Sequence, residues 1–294
     1  MKHIAIVDLS WLMHRYRHAN ADLSIYRNGQ RVPTGHVYGT YKFIKDLSEN
    51  YKRVILCVDS KPTIRKEILS SYKSNRHKET GNPYEDYDIH QDLDNILKLS
   101  TAIDNVYYTK KDGYEADDII ASYIKIANNE WDFYFHDDDI LQTKGSYNLC
   151  VSYDQQPKTG SPIDRREHLD KKYDLFRFDY LPMIWKIIKG DNGDCIPIGL
   201  LRFPTKDLIQ ICHENKITTE SSFEEIISAL KNHKYSSKTW IERIGNLKEG
   251  TEDYNNLELN YNLVRPYFIT DLTRNKFLCD NLEEVFKYYQ IRPF

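Results

Sequence analysis

Nine carboxylates occupy positions where acidic side chains can bind metal ions. Three follow short apolar runs, over residues 4–7, 54–58 and 131–135, whose β-branched and aromatic residues predict buried strands. The others come in closely spaced groups beside these runs or farther along the chain. The nine acids are Asp8, Asp59, Glu115, Asp117, Asp118, Asp137, Asp139, Asp191 and Asp194.

Acids gathered at one place repel one another or take up protons at neutral pH unless cations lie between them. All-oxygen ligands without a Cys or His pattern favour Mg²⁺, with Mn²⁺ as a substitute. Two such ions about 4 Å apart can activate water and stabilise the leaving oxygen of a phosphoryl displacement. One acid after a strand is more often a helix cap than a ligand, but acids at four separate strand or loop ends favour a shared metal site.

The elements that must position these acids alternate between strands and helices. Helical periodicity covers residues 37–47, 93–103 and 116–127, between the predicted strands. This order predicts an α/β fold with a mostly parallel central sheet flanked by helices. Because sites in such sheets form beyond the carboxyl ends of the strands, the acids are expected at one edge.

A loop containing Pro157, Gly160 and Pro162 follows a further predicted strand over residues 147–153. It marks the predicted boundary between two domains, of residues 1–160 and 161–294. Beyond it the periodicity is helical, over residues 180–188, 206–212, 223–230, 257–264 and 282–289. The second domain is therefore predicted to be α-helical.

Composition limits the class of protein. A chain of 294 residues with 40% apolar content can bury a substantial core. It has no signal-peptide pattern and no bilayer-length apolar stretch, and its five dispersed cysteines favour reduced thiols. These features predict a soluble cytoplasmic protein without a membrane partner. The net charge of −3 hides a basic stretch, residues 61–79, where six Lys or Arg stand against two Glu, an excess suited to phosphates.

The ordered motifs resemble the 5′-nuclease family, which comprises phage 5′→3′ exonucleases and flap endonucleases, phage ribonuclease H and the 5′-nuclease domain of bacterial DNA polymerase I. The resemblance covers about the first two hundred residues. The matching segments are Ile-Val-Asp8, Val58-Asp59, Ser71-Tyr72-Lys73-Ser-Asn-Arg76, Tyr114-Glu-Ala-Asp-Asp118, Asp137-Asp-Asp139-Ile-Leu-Gln142 and Lys189-Gly-Asp-Asn-Gly-Asp194.

The resemblance implies a PIN-like core and a structure-selective, Mg²⁺-dependent 5′→3′ exonuclease or flap endonuclease of DNA replication and repair. Its substrates would be branched or nicked DNA. The surroundings of Asp59 and Asp191 are most similar to phage ribonuclease H, so RNA:DNA hybrids and RNA primers are expected as well. If the chain is phage-encoded, the enzyme acts in the host cytoplasm. Because the chain leaves no room for a polymerase domain, it is expected to act alone or with replication proteins such as a single-strand-binding protein or a clamp.

The family's pattern also implies roles for individual residues. One metal ion near the scissile phosphate would be held by Asp8, Asp59, Glu115, Asp117 and Asp137, and a second served by Asp118, Asp139, Asp191 and Asp194. A helical arch, over about residues 60–112, would pass the single-stranded 5′ arm. Lys73 and Arg76 would clamp the phosphate while Tyr72 offers a stacking face, which makes these three and Asp137 the predicted catalytic residues. Arg65, Tyr72 and Arg76 are predicted to share a helical stripe, and Lys73 lies beside it. These four residues and Lys66 are expected to contact the nucleic acid.

The sequence departs from the family's pattern after Asp194. A glycine-rich helix-hairpin that binds K⁺ and the duplex is expected over about residues 186–214, yet Gly199 is the only glycine between residues 194 and 206. The missing backbone freedom leaves K⁺ binding open. The cations here and after the first strand are either duplex contacts or ordinary surface charge: Arg15, Arg17, Lys186, Lys189, Arg202 and Lys206.

Two other functions are compatible with part of this pattern. A PIN-type ribonuclease also places acids at strand ends, but it needs about half this length and does not explain the basic stretch around Tyr72. A catalytically silent DNA-binding module would keep the fold and lose metal ligands, whereas every expected acid is present.

Overall fold

Five parallel strands form one sheet at the centre of the structure. The computed structural model describes residues 2–75, 86–128, 130–135, 137, 139–140, 143, 148–149, 181–277 and 281–291. The strands are β1 (Lys2–Asp8), β2 (Ser24–Arg27), β3 (Gln30–Pro33), β4 (Tyr51–Val58), β5 (Val106–Lys110), β6 (Trp131–Tyr134) and β7 (Asn148–Leu149), of which β2 and β3 form a separate antiparallel hairpin.

Helices cover the sheet and continue the chain beyond it. Those described are α1 (Leu9–Ala19), α2 (Gly35–Asn50), α3 (Thr63–Ile68), α4 (Leu93–Thr101), α5 (Ala116–Ile126), α6 (Leu181–Lys189), α7 (Thr205–Asn215), α8 (Phe223–Asn232), α9 (Lys238–Gly245), α10 (Glu252–Val264) and α11 (Leu282–Tyr289). In the part of the chain that the structure describes, no helix combines the length and the apolar character needed to cross a bilayer.

The sheet is buried on both faces because side chains alternate along each strand. Along β4, Val54 and Leu56 pack beneath α1, α2, α4 and α11, whereas Ile55 and Cys57 pack beneath α5. Helices α6 to α10 enclose a separate apolar core. The predicted parallel α/β fold is confirmed.

The strands of the sheet lie in the order β5-β4-β1-β6-β7, and successive strands are added on opposite sides of β1. From β1 the chain goes to β4 and β5 on one side, then returns to β6 on the other side. The register pairs Asp8 with Cys57 and Val7 with Tyr134, so these three strands end close together. Such a switch point in a parallel sheet leaves a crevice beyond the strand ends.

Strand β5 shows that the range predicted for the arch, 60–112, is too long. Its residues pair with β4, from Val54 with Val106 to Val58 with Lys110, and α4 packs on the same sheet. The β-branched and aromatic composition of β5 explains the pairing. The predicted arch therefore cannot include α4 and β5, and residues 76–85 of its predicted range lie outside the described residues.

The C-terminal residues correct the predicted division into two domains. After α10 the chain returns to the sheet: Ile269 packs against α5, and Asn275 pairs antiparallel with Tyr108 beside β5. Helix α11 then buries Phe286 in the N-terminal core. Among the described residues, α6 to α10 form the separate helical unit. The predicted boundary near residue 160 lies outside the described residues and stays a prediction.

Candidate active site

Two acids leave the carboxyl ends of neighbouring strands and meet the start of α5. Asp8 ends β1, is 7% exposed, and its carboxylate accepts the amide hydrogen of Trp11 at 3.1 Å, so it also caps α1. Asp59 follows β4 and accepts the amide hydrogen of Ala116 at 2.8 Å. Both acids of the candidate site therefore also accept a backbone amide hydrogen at the start of a helix.

Three more acids lie in the first turn of α5 or just before it. Glu115 and Asp118 are buried, Asp117 is half-buried, and the Glu115 amide donates to Asp118 at 3.2 Å. The positive end of the helix dipole stabilises negative charge at these positions. Because Asp59 bonds to this turn, strand-end and helix-start acids form one cluster.

Burial and electrostatic repulsion within the cluster raise the pKa of several acids. Burial, and then Asp59 and Asp137, raise the pKa of Asp8 to about 8. Burial, Asp137 and Asp8 hold the pKa of Asp117 well above its usual range, and burial with Asp137 raises the pKa of Asp139 to about 7. Asp137 is thus the common neighbour of two groups of acids, one around Asp8 and one around Asp139.

A tight loop after α6 carries the last two acids. Asp191 and Ile196 form an antiparallel bridge, and Asp191 accepts the amide hydrogen of Gly193 at 2.8 Å. Gly190 has φ of +74°, and a Cβ there would lie 2.6 Å from the Pro197 carbonyl oxygen, so a glycine is required. Asp194 borders the same pocket as Glu115, Asp117, Asp137 and Asp139.

Two lysines lie among these carboxylates. The Lys73 ammonium donates to Glu115, and the Lys73 amide donates to the Asp194 carbonyl oxygen at 3.1 Å. Its backbone has φ of +56°, a strained conformation for lysine. Lys186 bridges Asp139 at 2.5 Å and Asp191 at 2.9 Å. Burial alone would raise the pKa of Asp191, but the Lys186 contact lowers it below its usual range.

The residues expected on a helical stripe lie elsewhere. Helix α3 ends at Ile68, so the stripe does not continue to Tyr72, because the chain turns there. Tyr72 is 3% exposed and donates to Glu115 at 3.1 Å, so the expected stacking face is buried in this structure. Arg65 is 4% exposed and pairs with Asp118, so it is not a surface cation. Lys66 is exposed, and Arg76 lies outside the described residues.

The remaining residues that were predicted to contact nucleic acid differ in solvent exposure: two are exposed and three are half-buried. Arg202 is exposed on the segment between α6 and α7, and Lys206 is exposed in the first turn of α7. Lys189 is half-buried, and its ammonium donates to the Phe203 carbonyl oxygen. This contact stabilises the backbone of the segment between α6 and α7. Arg15 lies 5.1 Å from the Tyr16 ring centroid, and Arg17 is half-buried in the last turn of α1.

One positioning residue was missed from the sequence. Asn260 is fully buried in α10 and donates to the Ile187 carbonyl oxygen at 2.9 Å and to that of Pro197 at 2.7 Å. It therefore fixes the loop that carries Asp191 and Asp194. Asn260 is one of four asparagines in α10, and nothing in the sequence distinguishes it from the other three.

The acids fit hard divalent cations by their chemistry. All of them supply oxygen ligands, and burial together with neighbouring carboxylates raises the pKa of Asp8, Asp117 and Asp139, an unfavourable negative charge that a dication would offset. Among the described residues, no three Asp, Glu, His or Cys side chains form a preformed ligand shell. The ammonium groups of Lys73 and Lys186 supply the opposing charge instead.

Comparisons with known proteins agree with this geometry. The family model described as 5′-3′ exonuclease, N-terminal resolvase-like domain, matches residues 3–174, more than half of the chain. DNA polymerase I of Borreliella burgdorferi is 27% identical over 246 residues, 80% of this chain and 25% of that protein. The chain thus spans about a quarter of the length of this curated relative.

Solved structures share the fold at low identity. T5 5′-exonuclease with bound zinc has a TM-score of 0.60 at 19% identity and covers 89% of this chain and 90% of its own. Bacteriophage T5 flap endonuclease, in a pseudo-enzyme-product complex with DNA and metal ions, has a TM-score of 0.58 at 18% identity and covers 90% and 89%.

Proposed function

Since this chain belongs to the 5′-3′ exonuclease family with the N-terminal resolvase-like domain, we propose that it is a structure-selective, Mg²⁺-dependent nuclease. It hydrolyses phosphodiester bonds near the 5′ ends of DNA flaps and of RNA primers in RNA:DNA hybrids. The observation that carries the proposal is the convergence of acids from β1, β4, α5 and the segment after β6, with the pKa of Asp8 raised to about 8. Structurally similar phage T5 nucleases were crystallised with metal ions, one of them with DNA.

The two groups of acids correspond to two cation positions. Asp8, Asp59, Glu115 and Asp117 would hold one Mg²⁺, or Mn²⁺ in its place, and Asp139, Asp191 and Asp194 the other, with Asp137 between them. When bound, such ions activate a water molecule and offset the charge of the leaving oxygen. Because the acids are fixed by strand ends, a helix start and a tight loop, little rearrangement of the backbone is needed.

The chain's own cations act on the phosphate. Lys73 is held at the mouth of the pocket by its amide bond to Asp194 and by Glu115. With a dication held by Glu115, this carboxylate would bind the Lys73 ammonium less strongly, and Lys73 would be able to donate to a non-bridging phosphate oxygen. A cation placed there stabilises the charge that develops in the transition state. Arg76, three residues farther on, is proposed as the second phosphate contact.

The enzyme would select the structure of the nucleic acid rather than its base sequence, because it would contact the phosphate backbone. Arg202 and Lys206 are exposed beside the loop that carries Asp191 and Asp194. We place the duplex phosphates against them, because phosphate contacts orient a nucleic acid without reading its bases. The helical unit of α6 to α10 would then set the distance from the duplex to the acids.

Hydrolysis of a 5′-labelled flap tests the proposal. The wild-type protein should cut the flap with Mg²⁺ and not with a chelator, and Asp137→Asn should abolish cutting. Asp94→Asn is a matched control, since Asp94 is an exposed aspartate of α4 outside the cluster. Nicked DNA, an RNA:DNA hybrid and single-stranded RNA of the same sequence complete the set. Wild-type protein that cuts none of them, or Asp137→Asn that cuts like Asp94→Asn, would refute the proposal.

A further inference from the structure

Arg65 and Asp118 form a buried ion pair beside the acid cluster. The Arg65 guanidinium donates to both carboxylate oxygens of Asp118, at 2.6 and 2.8 Å, and a third contact reaches Glu115 at 3.1 Å. Arg65 is 4% exposed and Asp118 is fully buried. Two-pronged pairing of this kind fixes both the distance and the plane of the two groups.

The same pair also joins the end of α10. Arg65 donates to the carbonyl oxygens of Leu263 at 2.9 Å and of Arg265 at 3.3 Å, and the Tyr267 amide donates to Asp118 at 2.9 Å. The Glu115 amide binds the other Asp118 oxygen at 3.2 Å. Both oxygens of Asp118 therefore have two donors each, which leaves little capacity for a metal ion.

The neighbouring aspartate is placed differently. Asp117 is half-buried and interacts with Asp137 and Asp8, the acids of the cluster, which help to raise its pKa. Asp118 has instead a guanidinium and two backbone amides. If Asp118 turned toward a metal ion, the buried Arg65 would lose both of its short contacts with Asp118 and keep only the 3.1 Å contact with Glu115, which is unfavourable for a buried charge.

We propose that Asp118 is not a metal ligand in this chain, and that Arg65 and Asp118 form a clasp that positions the reactive groups. The clasp ties α3, the start of α5 and the end of α10 together. Arg65 holds Glu115 directly, and through the short turn after α3 it sets where Lys73 lies. This assignment rests on the proposed nuclease function, and it departs from the family-based expectation that Asp118 serves the second ion.

Metal titration distinguishes whether Asp118 binds a metal ion or only pairs with Arg65, and it does not depend on nuclease activity. Mn²⁺ binding is measured by calorimetry on the metal-free protein for wild type, Asp117→Asn and the double variant Arg65→Met/Asp118→Asn. The double variant removes both charges together, so that neither remains buried alone, and its fold is checked by circular dichroism. We expect the double variant to bind as many ions as wild type, with affinity lowered less than about tenfold, the smaller end of outer-shell effects. Asp117→Asn should lose an ion.

A double-mutant cycle tests the positioning role. Removing the clasp should lower kcat on the flap substrate with KM unchanged, and should have no further effect in a Lys73→Ala background, because both changes act on the same step. Loss of an ion in the folded double variant, or kcat effects that multiply in that background, would overturn the clasp. Wild-type protein that binds no Mn²⁺ and cuts no flap would instead refute the nuclease proposal.

Discussion

Asp8 is an acid whose charge is unfavourable until a cation binds. Burial, Asp59 and Asp137 raise its pKa from 3.8 to about 8, so the folded protein keeps a proton that the unfolded chain loses. Without metal ions, the contribution of Asp8 to stability therefore falls as the pH rises from about 4 to about 8. Asn at this position removes the charge and keeps the acceptor for the Trp11 amide.

The variant Asp8→Asn should consequently be inactive but more stable than wild type in the presence of a chelator. The gain in melting temperature should be larger at pH 8 than at pH 5, and each kcal/mol corresponds to roughly 2–4 °C for a protein of this size class. Thermal melts at the two pH values measure it. Asp94→Asn should show no such pH-dependent gain, and equal gains at both pH values would contradict the repulsion.

Lys186 occupies the position between Asp139 and Asp191 where a cation is needed. The variant Lys186→Met should lower the stability of the metal-free protein, because the two acids lose their counterion. It should also bind Mg²⁺ more tightly, since no ammonium has to be displaced. Calorimetric titration with Mg²⁺ measures the affinity. Lys189→Met, one turn along α6, is the matched control and should leave it unchanged; weaker binding by Lys186→Met would show that the lysine assists the ion.

At the scale of elements, the C-terminal helix is held by a buried polar network. Tyr289 donates to Asp92, which also accepts from His36 at 2.8 Å and from Tyr87 at 2.8 Å. The variant Tyr289→Phe should cost about 1.5–3 kcal/mol of unfolding free energy, the range for a hydrogen bond to a charged group. Urea denaturation measures the loss, and flap cleavage should be unaffected.

Tyr288→Phe provides the comparison for this change. The Tyr288 ring stacks on Arg27 with 3.2 Å between the guanidinium carbon and the ring centroid, and phenylalanine keeps that ring. The two variants thus remove one hydroxyl each from adjacent positions of α11. Equal stability of both would mean that the Asp92 network does not hold the helix.

The sequence predicts elements well where periodicity is strong. Strands β1, β4 and β6 and helix α11 were predicted from apolar runs and from a helical pattern that matches residues 282–289. The β2–β3 hairpin was missed although its signal is present: Asn28 and Gly29 have φ of 48° and 78°, and Asn-Gly is the preferred pair for a two-residue hairpin turn. Strand β5 was missed because its two central tyrosines conceal the alternation.

The acids of the site were predictable because they follow strands or open a helix, and topology then brings them together. The pairing of these acids with basic side chains was not predictable. Arg65 belongs to a basic stretch that suggested phosphate contacts, yet its partner Asp118 is 53 residues away and only the folded chain reveals the pair. Asn260 is likewise 63 residues from Pro197, the loop residue that it holds. Long-range pairing of single polar residues leaves no periodic trace in a sequence.

At the scale of the whole molecule, some exposed cations lie apart from the acid cluster. The acids converge beyond the sheet, whereas exposed cations lie on the segment between α6 and α7, so a net charge of −3 does not prevent binding of a polyanion. The return of residues 265–277 to the sheet fixes the C-terminal end of the helical unit. A duplex bound on that unit would therefore have a defined distance to the acids.

This arrangement predicts how salt affects binding of a catalytically inactive Asp137→Asn protein to flap DNA. Each phosphate contact releases counterions, so the logarithm of affinity falls linearly with the logarithm of salt concentration. Replacing Arg202 and Lys206 together by alanine should reduce that slope by about 2, roughly 1 for each phosphate contact removed. Fluorescence anisotropy at several salt concentrations measures the slope. Lys231→Ala changes an exposed lysine of α8 and should leave the slope as it was. A double alanine variant that weakens binding equally at every salt concentration would mean that the two side chains do not contact phosphates, and the duplex would have to lie on another face of the helical unit.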